Sequence, residues 1–309
     1  MTVSNMRPLN RVNAKAGRSQ FPQQWIGWAP LVLLPSSAFV VRVHLPSWEF
    51  MWILAFNIFA ALKWLTWWKA RRQPKPERWR SAAYVLAWPG MEPEQFFDLA
   101  VRAPQPAWSE WFWAILETGL GATLLWVVAR GVTPSAPLVR GWIGMLGLIL
   151  LLHFGSFRLL ALVWRSFGVA AMPIMSAPLR SKSLSEFWGK RWNLGFRQLS
   201  HDLIFRPLHR SLGAGNAGFL VFVMSGVVHD LVISVPARAG YGLPTLYFLI
   251  QGAGVALERS HLGKHLGLGG GVRGWIFTAV ITVAPVFWLF HPPFVRNVIL
   301  PFMEAIHAL

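Results

Sequence analysis

Seven stretches of this chain are apolar for long enough to cross a lipid bilayer, and no other feature restricts its fold so severely. A hydrocarbon core about 30 Å thick takes about 17–25 apolar residues per helix. Inside it every backbone N–H and C=O must be satisfied within the spanning element or a closed barrel. The stretches are Trp25–Val41, Trp48–Trp68, Trp111–Val128, Gly141–Trp164, Phe219–Val235, Leu243–Leu257 and Gly274–Phe290, and Phe294–Leu309 reads as an eighth, shorter helix. Charged residues are 13% of the 309, about half the usual share of a soluble domain. The expected fold is therefore all-α: a polytopic membrane bundle of about 7–8 transmembrane helices forming one integral-membrane domain over residues 1–309. With no cysteine in the chain, disulfides, thiolate metal sites and a cysteine nucleophile are excluded.

A net charge of +17 would suggest a nucleic-acid partner in a soluble protein, but its distribution follows a membrane rule. Positive residues collect in cytoplasmic loops. Arg7, Arg11, Lys15 and Arg18 precede the first span; Lys69, Arg71, Arg72, Lys75, Arg78, Arg80 and Arg102 follow the second. Arg165, Arg180, Lys182, Lys190, Arg191, Arg197, Arg206 and Arg210 follow the fourth, and Arg259, Lys264 and Arg273 the sixth. The alternate loops hold only Arg42, Arg130, Arg140, Arg238 and Arg296. Every second loop is basic, so residues 1–24 form a basic cytoplasmic N-terminal segment, the chain is multi-pass, and no nucleic-acid partner is expected.

Two of the basic loops, Lys69–Glu110 and Arg165–Gly218, are too long to be simple connectors. In the first, Pro89-Gly90 and Pro93 mark turns. In the second, Leu184, Phe187, Trp188, Trp192, Phe196, Leu199 and Leu203 recur at three- and four-residue intervals. That spacing predicts an amphipathic helix over 183–204 lying at the cytoplasmic interface, with Ser183 and Glu186 as a capping box at its start. Lys190, Arg191 and Arg197 lie off the apolar stripe. On pattern alone the helix is equally an inert membrane anchor.

His229 stands well inside the span Phe219–Val235, followed by Asp230. Ionisable groups at that depth are costly and face a polar cavity or a partner rather than lipid. Lys63 and Glu117 also fall within spans, where they line a tunnel or pair between helices, and Arg158 can snorkel to the interface. His261 and His265 have possible metal-ligand spacing, but Gly263 and the following glycine-rich run argue against a stable helix there, and no metal site is expected. Gly267-Leu-Gly-Gly-Gly271 lacks the Lys-Ser/Thr of a phosphate loop.

Ser183-Leu-Ser-Glu-Phe-Trp-Gly-Lys-Arg-Trp-Asn193 resembles the S-L-x-[DE]-F-W-G-[RK]-R-W-[NH] signature of wax synthases, a branch of the membrane-bound O-acyltransferases (MBOAT). Ser225-Gly-Val-Val-His-Asp230 resembles that family's intramembrane S-G-x-x-H-[ED] motif, and Pro173-Ile-Met-Ser-Ala-Pro-Leu179 its lead-in. The resemblance covers about residues 145–260. It implies an acyl-CoA:alcohol O-acyltransferase whose helices surround a catalytic tunnel, with His229 as the catalytic histidine and Asn193 as the second, polar active-site residue. Acyl-CoA is then a co-substrate, with no bound cofactor, and a hydroxyl-bearing lipid or alcohol is the acceptor. Asp230 stands where many relatives have Glu.

The residues suit that chemistry. An imidazole titrating near about 6.5 can take the hydroxyl proton at neutral pH, and an amide N–H can stabilise an oxyanion. Lys190, Arg191 and Arg197 can meet the phosphates of coenzyme A from the cytoplasmic side, or serve only as topological charge. Two alternatives stay open: an acetyltransferase of the same family acting on a terpenoid or other hydroxyl, and a polytopic transporter, although no internal repeat is visible.

Overall fold

The computed structural model describes residues 21–71, 77–101 and 103–309. Residues 1–20 of the basic segment 1–24, and Arg72, Lys75 and Arg102, therefore lie outside the described residues. Six helical runs among the described residues are long and apolar enough to cross a membrane: α1 Trp25–His44, α2 Ser47–Ala70, α4 Trp108–Gly131, α5 Pro137–Ser166, α6 Leu194–Ala237, kinked at Gly213, and α8 Gly271–Leu289. Between them lie α3, Arg78–Ala87, and α7, Leu243–Arg259. No strand occurs among the described residues, and the molecule is an all-α polytopic bundle.

The helices meet where the sequence supplies small residues or a polar group that needs a partner. Gly121 of α4 faces α5 so closely that a Cβ there would lie 2.5 Å from the Leu151 nitrogen. Without a hydrophobic drive between helices in lipid, such close backbone approach is what joins them. Glu117 of α4 pairs with Arg158 of α5 at 2.9 Å, so that arginine is held between helices rather than extended to the interface. Arg165, buried, holds Glu110 at 2.6 Å and adds the Pro104 carbonyl. Asn57 of α2 donates to the Leu34 carbonyl of α1 at 2.8 Å.

The core has two main parts. One joins Leu125, Met145, Phe248, Val295, Val298 and Met303 across α4, α5, α7 and the C-terminal region. The other gathers Tyr84, Trp88, Phe96, Ala161 and Val169 around α3. Apolar side chains left outside these cores, such as Val32, Leu33, Val127 and Val283, suit hydrocarbon contact.

Several sequence expectations shift. The region expected as an eighth, shorter helix is a continuous helical run over 292–305 with a π turn at Val295–Ile299, and Val295, Val298 and Met303 turn inward, Val295 and Met303 against Gly141 and Gly144 of α5. The sixth apolar stretch is helical as α7, but at 17 residues it is shorter than the six long runs. Pro93 opens a short helix, Pro93–Phe97, instead of marking a turn, since proline suits a first helical position. His261–His265 does form one helical turn, capped by Ser260, whose Oγ accepts the Gly263 N–H at 3.1 Å, and only glycine fits at 263 beside the Leu257 carbonyl.

Candidate active site

The signature segment is not one continuous helix. Leu184–Glu186 starts a helical turn, Phe187–Arg191 widens into a π turn, and the chain breaks at Asn193 before α6 begins. Asn193 adopts φ 43° and ψ 62°, a left-handed conformation that asparagine tolerates better than most residues. Its Oδ1 accepts the Phe196 N–H at 3.4 Å and caps α6. The apolar spacing persists through the break because periodicity records which side is buried, not whether the helix continues.

The break is held from outside. Ser176 N–H donates to the Arg191 carbonyl at 2.8 Å and Leu194 N–H to the Ile174 carbonyl at 2.9 Å, so the 173–179 lead-in braces the signature. Trp192 stacks on Phe187 with centroids 5.4 Å apart and touches Phe154 of α5 at 6.5 Å. Half of the expected capping box forms. Ser183 Oγ accepts the Glu186 N–H at 3.0 Å, but the Glu186 carboxylate takes the Lys182 N–H at 2.8 Å and not that of Ser183. The carboxyl sits below its ordinary range through that N–H first and the Arg191 guanidinium second.

Arg191 is thoroughly engaged. It meets Glu186 at 2.6 Å, and its remaining N–H groups approach the carbonyls of Ser176 at 3.1 Å and Ala177 at 3.4 Å. Lys190 and Arg197 are exposed, and Arg197 also donates to Gln198 at 3.2 Å.

His229 ends the regular part of α6, immediately before the π turn Asp230–Ser234. Its Nδ1 lies 2.7 Å from the Ser225 carbonyl. A carbonyl only accepts, so the ring proton resides on Nδ1 and the Nε2 lone pair is left for chemistry. The ring packs on Phe248 with centroids 4.5 Å apart.

Helix α7, which the sequence marked only as an apolar span, joins the two motifs. At its N-terminal turn, the Asp230 carboxylate accepts N–H groups of Gly242 at 2.8 Å and Thr245 at 3.0 Å, together with the Thr245 hydroxyl. Phe248, on the same helix, lies between His229 and Trp188 of the signature, 5.7 Å from the latter's ring. Gln251 accepts the Trp188 indole N–H at 3.3 Å and donates to the Ile281 carbonyl at 2.7 Å. At the far end Glu258 caps Leu184 at 2.5 Å, and Arg259 donates to Ser185 Oγ at 3.1 Å.

His229 and Asn193 share no hydrogen bond among the described residues; Phe248 joins His229 to Trp188, in the signature segment that ends at Asn193. Gln251 and Phe248 escaped sequence reasoning because each is a single letter in an apolar run, and Glu258 because it stands at the charged end of that run. The signature partners of Gln251 and Glu258 lie 63 and 74 residues away. No group of three or more His, Cys, Asp or Glu residues among those described could hold a metal ion.

Residues 171–250 match the family model for the membrane bound O-acyl transferase family. The chain is 32% identical over 146 residues to probable long-chain-alcohol O-fatty-acyltransferase 7 of Arabidopsis thaliana, an alignment covering 42% of each chain. It is 26% identical over 144 residues to the long-chain-alcohol O-fatty-acyltransferase of Simmondsia chinensis, covering 43% of this chain and 41% of the other. Acyl-CoA–sterol O-acyltransferase 1 of Arabidopsis thaliana is 28% identical over 144 residues, with 40% and 39% covered. The chain thus spans about two fifths of the length of the curated relatives it matches. Within the matched residues lie Asn193, His229 and Asp230, and the resemblance to wax synthases read from the motifs is shared by family model and relatives alike.

Proposed function

We propose that the chain transfers an acyl group from acyl-CoA to the hydroxyl of a long-chain alcohol or other lipid, with His229 as general base. The observation that carries this reading is the His229 ring, whose Nδ1 is committed to the Ser225 carbonyl and whose Nε2 is left unspent inside the bundle. Nε2 takes the proton of the acceptor hydroxyl as its oxygen attacks the thioester carbonyl. The tetrahedral oxyanion then collapses, the C–S bond breaks, and the coenzyme A sulfur leaves with the proton that Nε2 carries. With no cysteine in the chain, direct transfer in a ternary complex is the simplest route.

The Asn193 Oδ1 is occupied by the Phe196 N–H, so its Nδ2–H is the group offered to the alcohol or to the oxyanion. Lys190, Arg191 and Arg197 are proposed to meet the coenzyme phosphates, and the tunnel holding the chains runs through the signature-bearing region 145–260. The basic loops, and with them the N-terminus, are assigned to the cytoplasm, where coenzyme A is found. A sterol-type acceptor is the second reading, favoured by the relative named for sterol acylation.

Purified protein in detergent is assayed with radiolabelled acyl-CoAs of varied length against a panel of alcohols and sterols. His229→Ala is expected to lose about 10²–10⁴-fold in turnover, the usual contribution of general acid–base catalysis, while remaining monodisperse. Near-normal turnover in that variant removes His229 from the mechanism. In Asn193→Ala, a raised alcohol KM with kcat intact favours positioning over oxyanion stabilisation.

A further inference from the structure

His291 lies in none of the motifs, yet it is fully buried and bonded to the turn that follows His229. Its Nδ1 accepts the Phe294 N–H at 3.2 Å. The ring proton is therefore on Nε2, which lies 3.3 Å from Ser234 Oγ. Ser234 is also fully buried, and its Oγ has two further neighbours, Asp230 Oδ1 at 2.8 Å and the Gly240 carbonyl at 3.1 Å. Both can only accept, and a hydroxyl has one proton to give. The His291 N–H fills a lone pair on that oxygen and restricts the directions left for its hydrogen.

The recipient matters because Asp230 closes the π turn Asp230–Ser234 through the Ser234 hydroxyl and holds the start of α7 through Gly242 and Thr245. His291 is seated equally firmly. Gly240 has φ +71°, and a Cβ there would come within 2.5 Å of the imidazole. His291, Gly240, Ser234 and Asp230 thus form one interlocked unit, and the first residue of its π turn directly follows His229.

We propose that His291 is a positioning residue for His229: it orients the Ser234 hydroxyl onto Asp230 and so fixes the π turn from which the His229 ring is aimed. The inference rests on the reading of His229 as general base. Without the His291 donor the Ser234 hydroxyl is free to turn to the Gly240 carbonyl. Asp230 then loses a donor, and the turn relaxes beneath His229. Catalytic geometry is sensitive to displacements of this kind, a 1 Å error costing about 10²-fold.

Four variants, His291→Leu, His291→Gln, Ser234→Ala and the double variant His291→Leu/Ser234→Ala, are compared with the parent and His229→Ala, using palmitoyl-CoA and hexadecanol in detergent. His291→Leu and Ser234→Ala are each expected to lower kcat by about 10–100-fold with both KM values within about two-fold. The double variant should be no slower than the worse single one, since both break the same chain of bonds. His291→Gln, which can offer an N–H to Ser234, should recover most of the turnover. Should His291→Leu fail to stay monodisperse, Ser234→Ala decides the matter, for it removes one oxygen only. Parent-like kcat in Ser234→Ala, or multiplying losses in the double variant, overturns the inference while an inactive His229→Ala leaves the acyl-transfer reading standing. An active His229→Ala overturns both.

Discussion

Arg191 and its neighbours illustrate how a single side chain is committed before any ligand arrives. Because Arg191 is tied to Glu186 and to the carbonyls of Ser176 and Ala177, its replacement disturbs the lead-in as well as any phosphate contact. Lys190 and Arg197 are exposed, so their charge can act on a ligand with less structural consequence. Lys190→Gln and Arg197→Gln are each expected to raise the acyl-CoA KM by about three- to ten-fold at low salt, with the difference shrinking as ionic strength rises. Equal donor KM values and salt responses in parent and variants would reduce these residues to topological charge. Glu186 supplies a pH signature. Its carboxyl titrates below the ordinary range, chiefly through the Lys182 N–H and then Arg191. Its stabilising contribution is present above the unfolded value of about 4.3 and is lost as pH falls through the lower folded value. The melting temperature of the parent should exceed that of Glu186→Gln at pH 7 and converge on it in that acid window. At this scale the sequence singles out His229 and Asn193 as candidates because they sit in motifs. It passes over His291, whose proposed role depends on Ser234, 57 residues away.

Among the elements, α7 and the connection from α2 to α6 carry the site's geometry. Lys63 of α2 is buried and donates to the Gly90 carbonyl, with its Nζ 3.3 Å over the Tyr84 ring. The Tyr84 hydroxyl is in turn 2.8 Å from Thr66. The loop so held touches α6 directly, for a Cβ on Gly195 would lie 3.1 Å from the Met91 nitrogen. Glu92 follows, and burial raises its carboxyl while the Arg197 guanidinium opposes that shift. Replacing Lys63 by Met keeps the bulk of the side chain but leaves the Gly90 carbonyl without this donor, at a cost of about 1–3 kcal/mol. Thermal unfolding in detergent should show that loss, and activity should fall with it because the displaced loop lies under the helix that begins at Asn193. An unchanged melting curve would mean that the Gly90 carbonyl finds another donor. Length and hydropathy made the long helices legible. The break at Asn193 was not, because it depends on a backbone conformation that the apolar stripe does not encode. Lys63 shows the same limit: the sequence marks it as an intramembrane cation, but its partner is a main-chain carbonyl with no side-chain identity.

At the scale of the whole molecule, the alternation of basic loops and the path of α7 make a joint prediction about topology. Asp230 holds the first turns of α7 and Glu258, near its end, holds the signature, so α7 must cross if these two attachments lie on opposite sides of the membrane. At about 1.5 Å rise per residue, its 17 residues extend about 25 Å, somewhat short of a typical hydrocarbon core. Local thinning or the bundle around it can absorb that mismatch. The absence of cysteine from the chain allows a direct test with single cysteines at Lys182, Ser135 and Lys264, all exposed. If the basic loops share one side and α7 crosses, an impermeant maleimide should label positions 182 and 264 from the same face and 135 from the other. Labelling of 264 together with 135 would make α7 re-entrant and move the turn His261–His265 across the membrane. Labelling of 182 together with 135 would overturn the charge-based topology itself, since α5 lies between them and is the most hydropathic of the six long runs. The charge pattern and α7 are therefore separable: the first is tested by 182 against 135, and the second by 264 against 182.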